Sequence, residues 1–211
     1  MFGTYDFGLN SEQEERAKRL HAESIIIDTL FQGPCGYRSF TDEMVRQLQE
    51  EFEVHRNPMK GLWSAVEMPV RRAIAGEFDD FKACWDDSGL TAGNRQTGGN
   101  SLEEAMPWFA LNQAQFDTFP WFTKATKAEH FRQAKREGIH AGFVSTQNTV
   151  DVGLNLDRLN RYHELGMRMI QLTYNSVNFV GGGCTDRVDC GVTDFGVKFI
   201  GRMNDLGIIV D

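Results

Sequence analysis

No stretch of this chain approaches 18 consecutive apolar residues, so its sequence predicts no membrane-spanning helix. The opening residues, MFGTYDFGLNSEQEERAKRL, are acidic and amphipathic and lack the apolar centre that a secretory signal requires. Cysteine is sparse: Cys35, Cys84, Cys184 and Cys190 form no C-x-x-C pair. That pattern favours reduced thiols in a cytoplasmic protein, with a small Cys184–Cys190 loop in GGGCTDRVDCG as the alternative. Positive charge is also short, 22 Lys and Arg against 30 Asp and Glu, for a net charge of −8. Neither nucleic acid nor an anionic membrane is therefore the expected partner, because both favour a basic face. There is no G-x-G-x-x-G, no phosphate-loop G-x-x-x-x-G-K-[ST], no H-E-x-x-H and no G-x-S-x-G. VGGGC at 180–184 is rich in glycine but lacks the lysine and hydroxyl of a phosphate loop. The five histidines (His21, His55, His130, His140, His163) are scattered, and none makes a metal pair by spacing.

What is present reads as one globular domain over 1–211, with an ordinary 41% hydrophobic and 25% charged composition. Three joints share one grammar: AKREGIHAGFVS, YHELGMRMIQLT and RMNDLGIIVD. Each closes a charged helical pattern with glycine and runs straight into a β-rich apolar segment, as helix-to-strand joints of α/β units do. Leu156, Leu159, Tyr162 and Leu165 share one side of a helix over 155–165; Phe195, Phe199, Ile200, Met203 and Leu206 do so over 193–206, capped by Thr193 or Asp194. An amphipathic helix is expected over about 11–22. About five strands follow, at 24–28, 90–95, 140–146, 167–173 and 207–211, with helical insertions at 33–87 and 100–136. The aromatics of the second insertion (Trp108, Phe109, Phe116, Phe119, Trp121, Phe122) are expected in a core, with a lid over a pocket as the minority reading. The fold class is α/β with a parallel sheet. A complete (β/α)8 barrel takes about 250 residues, so about five βα units with insertions are expected to form part of one.

Parallel α/β folds gather reacting groups at the carboxyl ends of their strands. In SIIIDTLFQG, at 24–33, an apolar run with the look of a buried strand delivers Asp28 to such an end. The others read Asn94-Arg95-Gln96, Ser145-Thr146-Gln147-Asn148, Thr173-Tyr174-Asn175 and Asp211. Five polar ends in succession predict a lined pocket.

The stretch LNRYHELGMRMIQLTYNSVNFVGGGCTDRVDCGVTDFGVKFIGRMNDLGIIVD resembles the membrane (renal) dipeptidase family of zinc peptidases, through ELGMR, LTYN, TDFG and MNDLGIIVD in matching order and spacing. SIIIDTLFQG and SGLTAGN resemble that family's first two strands. The resemblance covers about 24–30, 88–95 and 139–211. It implies a (β/α)8 TIM-type barrel and metal-dependent hydrolysis of dipeptides or related small amides, in which two zinc ions activate a hydroxide. The family's D-G-H-x-D strand end corresponds to D-T-L-F-Q here, so Leu30 and Gln32 stand at ligand positions and Asp28 keeps the first acid. The metal-bridging glutamate corresponds to Gln147, and a histidine of the family to Tyr174. Leucine offers zinc no donor, and a neutral amide lacks the charge of a bridging carboxylate. The resemblance thus implies an altered metal site. One zinc ion would be held mainly by residues beyond Asp211, and none by this chain alone. Asp28 and Gln147 are the expected catalytic positions, with Tyr174, Asn175 and Asn148 binding substrate. The alternative is a non-catalytic barrel that binds small molecules or acts as a scaffold. A homo-oligomer, or a C-terminal half supplied elsewhere, is the expected partner.

Overall fold

A computed structural model describes residues 6–30, 33–35 and 39–211. Six parallel strands are found among them: β1 (Ile27–Asp28), β2 (Ala92–Thr97), β3 (Phe122–Lys124), β4 (His140–Thr146), β5 (Met167–Ile170) and β6 (Ile209–Val210). The sheet runs β1-β2-β4-β5-β6. β3 lies beside the first half of β4, pairing Phe122 with His140 and Lys124 with Gly142, while β5 takes the second half through Val144, Ser145 and Thr146. Every neighbouring pair is parallel, so all the strands deliver their carboxyl ends to the same side.

Eight helices are described. They are α1 (Ser11–Glu23), α2 (Asp42–His55), α3 (Pro58–Ile74), α4 (Asp80–Ser88), α5 (Leu102–Thr118), α6 (Ala128–Glu137), α7 (Asp157–Glu164) and α8 (Asp194–Leu206). Their ends follow local chemistry. Asn10 and Gln13 make a reciprocal capping box on α1. Thr193 caps α8 by accepting from the Gly196 N–H at 2.9 Å. Gly138 and Gly207 close α6 and α8 in the left-handed conformation, and strands β4 and β6 begin two residues later.

Two expectations are corrected. The segment 100–136 is not simply a helical insertion: it carries β3, a sheet strand between α5 and α6. The run Ser24-Ile25-Ile26-Ile27 does not form a buried strand. β1 comprises two residues at the sheet edge, and Ile27 is 38% exposed because β2 is its one neighbour among the described strands.

Both faces of the sheet are covered. On one, Val144, Met167 and Ile170 pack with Ala105 and Phe109 of α5, Leu159 and Tyr162 of α7, and Phe199 and Met203 of α8. A second cluster joins Met44, Met68, Phe81, Trp85, Phe119 and Phe122, tying α2, α3 and α4 to α5 and β3. Burying each such side chain stabilises the fold by about 1.5–3 kcal/mol before entropy is counted. A third cluster packs Ala134 and Phe131 of α6 against Ala141 and Phe143 of β4, the Phe131 ring meeting Phe143 edge-on at 6.1 Å. Residues paired in register share a sheet face. Phe143 pairs with Asn94, and two positions on Ser145 pairs with Gln96. This face therefore changes from apolar to polar on the way to the carboxyl ends.

Candidate functional site

Along that face, β2 and β4 form a continuous polar seam. Asn94 is buried; its amide donates to the Thr29 carbonyl at 2.9 Å, and its Oδ1 accepts from the Ser145 hydroxyl at 2.6 Å. One step further out, Gln96 Nε2 donates to Gln147 Oε1 at 2.6 Å. Above them opens a cleft of about 610 Å³, lined by Gln96, Gln147, Asn148 and Tyr174 from the strand ends, and by Trp63 and Glu67 of α3 with Glu104 and Trp108 of α5. The Trp63 and Trp108 rings meet edge-to-face, 5.4 Å apart at 71°.

The structure brings three of the expected site residues together: Gln147, Asn148 and Tyr174 all line the cleft. Asn148 is also structural. Its Oδ1 accepts from the Thr149 N–H and from Asn178 Nδ2, both at 2.8 Å. Asn178 further donates to the Leu172 carbonyl and accepts from the Val180 N–H, so it locks the β5 exit loop to the β4 exit loop. Tyr174 is about half exposed. Asn175 lies outside the cleft lining, its carbonyl accepting from the Thr185 N–H at 2.9 Å and hydroxyl at 2.6 Å. Asp28 lies at the end of β1, opposite Gly93, and its Oδ1 accepts from the Leu30 N–H at 2.9 Å. Asp211 lines a second hollow of about 380 Å³ with Gln171, Thr173 and Asp189. His140 sits at the far end of β4, bonded to the Leu90 carbonyl and to Asp86.

Sequence reasoning missed two features. One is the aromatic and acidic wall. Most of the insertion aromatics are core, as expected, but Trp108 lines the cleft together with Trp63. The signal was available in the spacing, since Trp63 and Glu67, like Glu104 and Trp108, are four residues apart on their helices. The other is Asp151, a buried acid in the loop after β4 that accepts from the Tyr162 hydroxyl and the Val152 N–H, each at 3.0 Å. Burial pushes its carboxyl up to about 6, against those hydrogen bonds and the nearby Arg158. Asp151 is not in the cleft lining.

A zinc centre can be tested against the donors present. Leu30 is a 62% exposed aliphatic side chain. Gln32 lies outside the described residues. Gln147 offers an amide already engaged by Gln96. Among the described residues no group of three or more His, Cys, Asp or Glu is placed to hold a metal ion. Zinc takes three or four thiolate, imidazole or carboxylate donors, so these residues do not fit it.

A parallel sheet with covering helices and a cleft at the carboxyl strand ends defines an α/β protein that carries part of a barrel-type sheet. The chain belongs to the membrane dipeptidase family, peptidase family M19, whose sequence pattern matches residues 14–211. It is similar to an amidohydrolase from Pseudomonas aeruginosa, with a TM-score of 0.62 and 20% identity over 92% of this chain and 47% of that one. It also resembles the probable dipeptidase PvdM of Pseudomonas aeruginosa, with a TM-score of 0.58 and 18% identity over 96% of this chain and 50% of that one. A metallopeptidase from Rhodobacter sphaeroides, solved with a phosphinate mimic of the dipeptide L-Ala-D-Ala, matches with a TM-score of 0.51 and 15% identity over 89% of this chain and 57% of its own. The chain thus spans about half the length of these structures.

Proposed function

We propose that the strand-end cleft is a dipeptidase-type site for a dipeptide or related small amide, with the metal ligand set altered at Leu30, Gln32 and Gln147. The observation that carries this reading is the Gln96–Gln147 amide pair, 2.6 Å apart on the wall of a cleft of about 610 Å³. With its Oε1 held by Gln96, Gln147 keeps its Nε2 as a neutral donor for a peptide carbonyl, with no charge to desolvate. Membership of a dipeptidase family, and a neighbour solved with a dipeptide mimic, support the same ligand class. In the hydrolytic form of this reading the protein is a metal-dependent amide hydrolase. Asp28 and Gln147 then orient the scissile amide while Tyr174 and Asn148 hold the ligand.

A second reading, a non-catalytic binding or scaffold protein, is favoured by one specific observation. The two described positions at which the family places metal ligands, Leu30 and Gln147, carry an aliphatic group and a neutral amide. Calorimetric titration of the chain with L-Ala-L-Ala and with the phosphinate mimic of L-Ala-D-Ala, followed by product analysis with and without added zinc, decides between the two. Saturable binding with zinc-dependent release of alanine establishes the hydrolase. Saturable binding without turnover, at a zinc concentration that leaves zinc bound to the chain, establishes the binding protein. Absence of binding by either ligand sinks the small-amide assignment.

A further inference from the structure

We infer that the cleft selects ligands whose side chain carries a positive charge, a primary ammonium or guanidinium, and that Trp63, Trp108 and Glu104 are the selecting residues. The inference rests on the reading of the cleft as a small-amide site and adds the substrate class to it.

The cleft lining is acidic and aromatic. It contains two carboxylates, Glu67 and Glu104, and three aromatic rings, Trp63, Trp108 and Tyr174, and no lysine, arginine or histidine among the described residues. On α3 and α5 the four-residue spacing sets each carboxylate beside a tryptophan on the same helix flank. The two flanks converge, as the edge-to-face Trp63–Trp108 contact at 5.4 Å shows. The carboxylates differ. Glu67 is paired with Arg71, which lies outside the lining, at 2.6 Å, so its charge is largely answered. Glu104 accepts from the Asn100 N–H at 2.8 Å and has no cationic partner among the described residues. A cation entering here meets an uncompensated carboxylate and two indole rings in the same lining, and carboxylates and indoles both attract cations. An anionic side chain meets repulsion and no donor cation among the described lining residues. The amide pair Gln96–Gln147 belongs to the same cleft, so one small amide can reach both.

The experiment compares three dipeptides of matched shape by calorimetric titration of the chain: L-lysyl-L-alanine, L-norleucyl-L-alanine and L-glutamyl-L-alanine. All three share the α-ammonium and the peptide group, so the ratios isolate the side-chain charge. Lysyl-alanine should bind about tenfold more tightly than norleucyl-alanine, and glutamyl-alanine most weakly. In Glu104→Gln, which keeps an acceptor for Asn100, the lysyl-to-norleucyl ratio should fall to about threefold or less, and high salt should lower it in the unmodified chain. Equal binding of all three dipeptides, or a lysyl preference untouched by Glu104→Gln, overturns the inference and leaves the small-amide site standing. Failure of all three to bind overturns both. Because each ratio is read within one protein, a variant that folds less well does not imitate the expected result.

Discussion

Asp151 is the side chain whose protonation the fold feels most directly. Its carboxyl is held at about 6 by burial, whereas an unfolded chain leaves it near the ordinary 3.8. The groups facing it are the Tyr162 hydroxyl and the Arg158 guanidinium, with Glu103 near Tyr162. A raised carboxyl favours the folded state while it is protonated. Its contribution is complete below about pH 4 and is lost as pH rises through about 6. A carboxyl raised that far contributes at most about 3 kcal/mol. Urea unfolding should therefore show stability from this group declining between about pH 4 and pH 7. Asp151→Asn should flatten that slope and gain most at neutral pH; a variant as pH-dependent as the parent would remove Asp151 from the account. At the same scale, substituting Leu30→His, Gln32→Asp and Gln147→Glu together should raise zinc affinity in a complete barrel, read by competition with a chromophoric chelator. An unchanged affinity would mean that these positions do not correspond to the family's ligands.

Among the elements, β4 is the most constrained, because it borders three strands and two clusters. Gly142 shows why its residues are small. A methyl group added there would lie 2.7 Å from Arg95 Cγ, 2.8 Å from Phe122 Cζ and 2.9 Å from Phe116 Cε1. Gly142→Ala should cost about 1–3 kcal/mol by overpacking, seen as a lower thermal midpoint. Gly201 in α8 meets nothing within 4 Å, so Gly201→Ala should instead stabilise by about 0.5–1 kcal/mol through helix propensity. Opposite signs for one substitution would test the packing directly. The helix-glycine-strand joints were legible in the sequence because the period change and the capping glycine are local signals. β3 was not: three residues after Pro120 carry no period, and the strand exists only because β4 offers a free flank to Phe122, Thr123 and Lys124. Of the cleft lining, Gln147, Asn148 and Tyr174 were legible because the polar strand ends mark them. For Trp63 and Glu104 the spacing shows only that each shares a helix flank with its partner; their convergence on one cleft depends on α3 packing on α5.

Taken as a whole, the sheet leaves three strands, β1, β3 and β6, each paired on one side only among the described strands. β6 is the most consequential edge: Ile209 is 60% and Val210 38% exposed, and neither a charge nor a proline within the strand guards it. An unguarded apolar edge is a template for strand addition. Its backbone N–H and C=O groups call for hydrogen-bond partners that another strand supplies and lipid tails do not. A polypeptide of these 211 residues tested alone should self-associate with rising concentration, seen as an upward drift of mass by light scattering on a sizing column. Ile209→Lys places a charge on that edge without touching the cleft lining, since Ile209 lies outside it. It should shift the association to higher concentration while leaving dipeptide binding in place. A mass that holds constant across the series, or one that drifts equally in Ile209→Lys, would show that the edge is not the adhesive surface, and the exposed apolar residues of the 174–192 loop, Val177, Phe179 and Val188, would be the next to change.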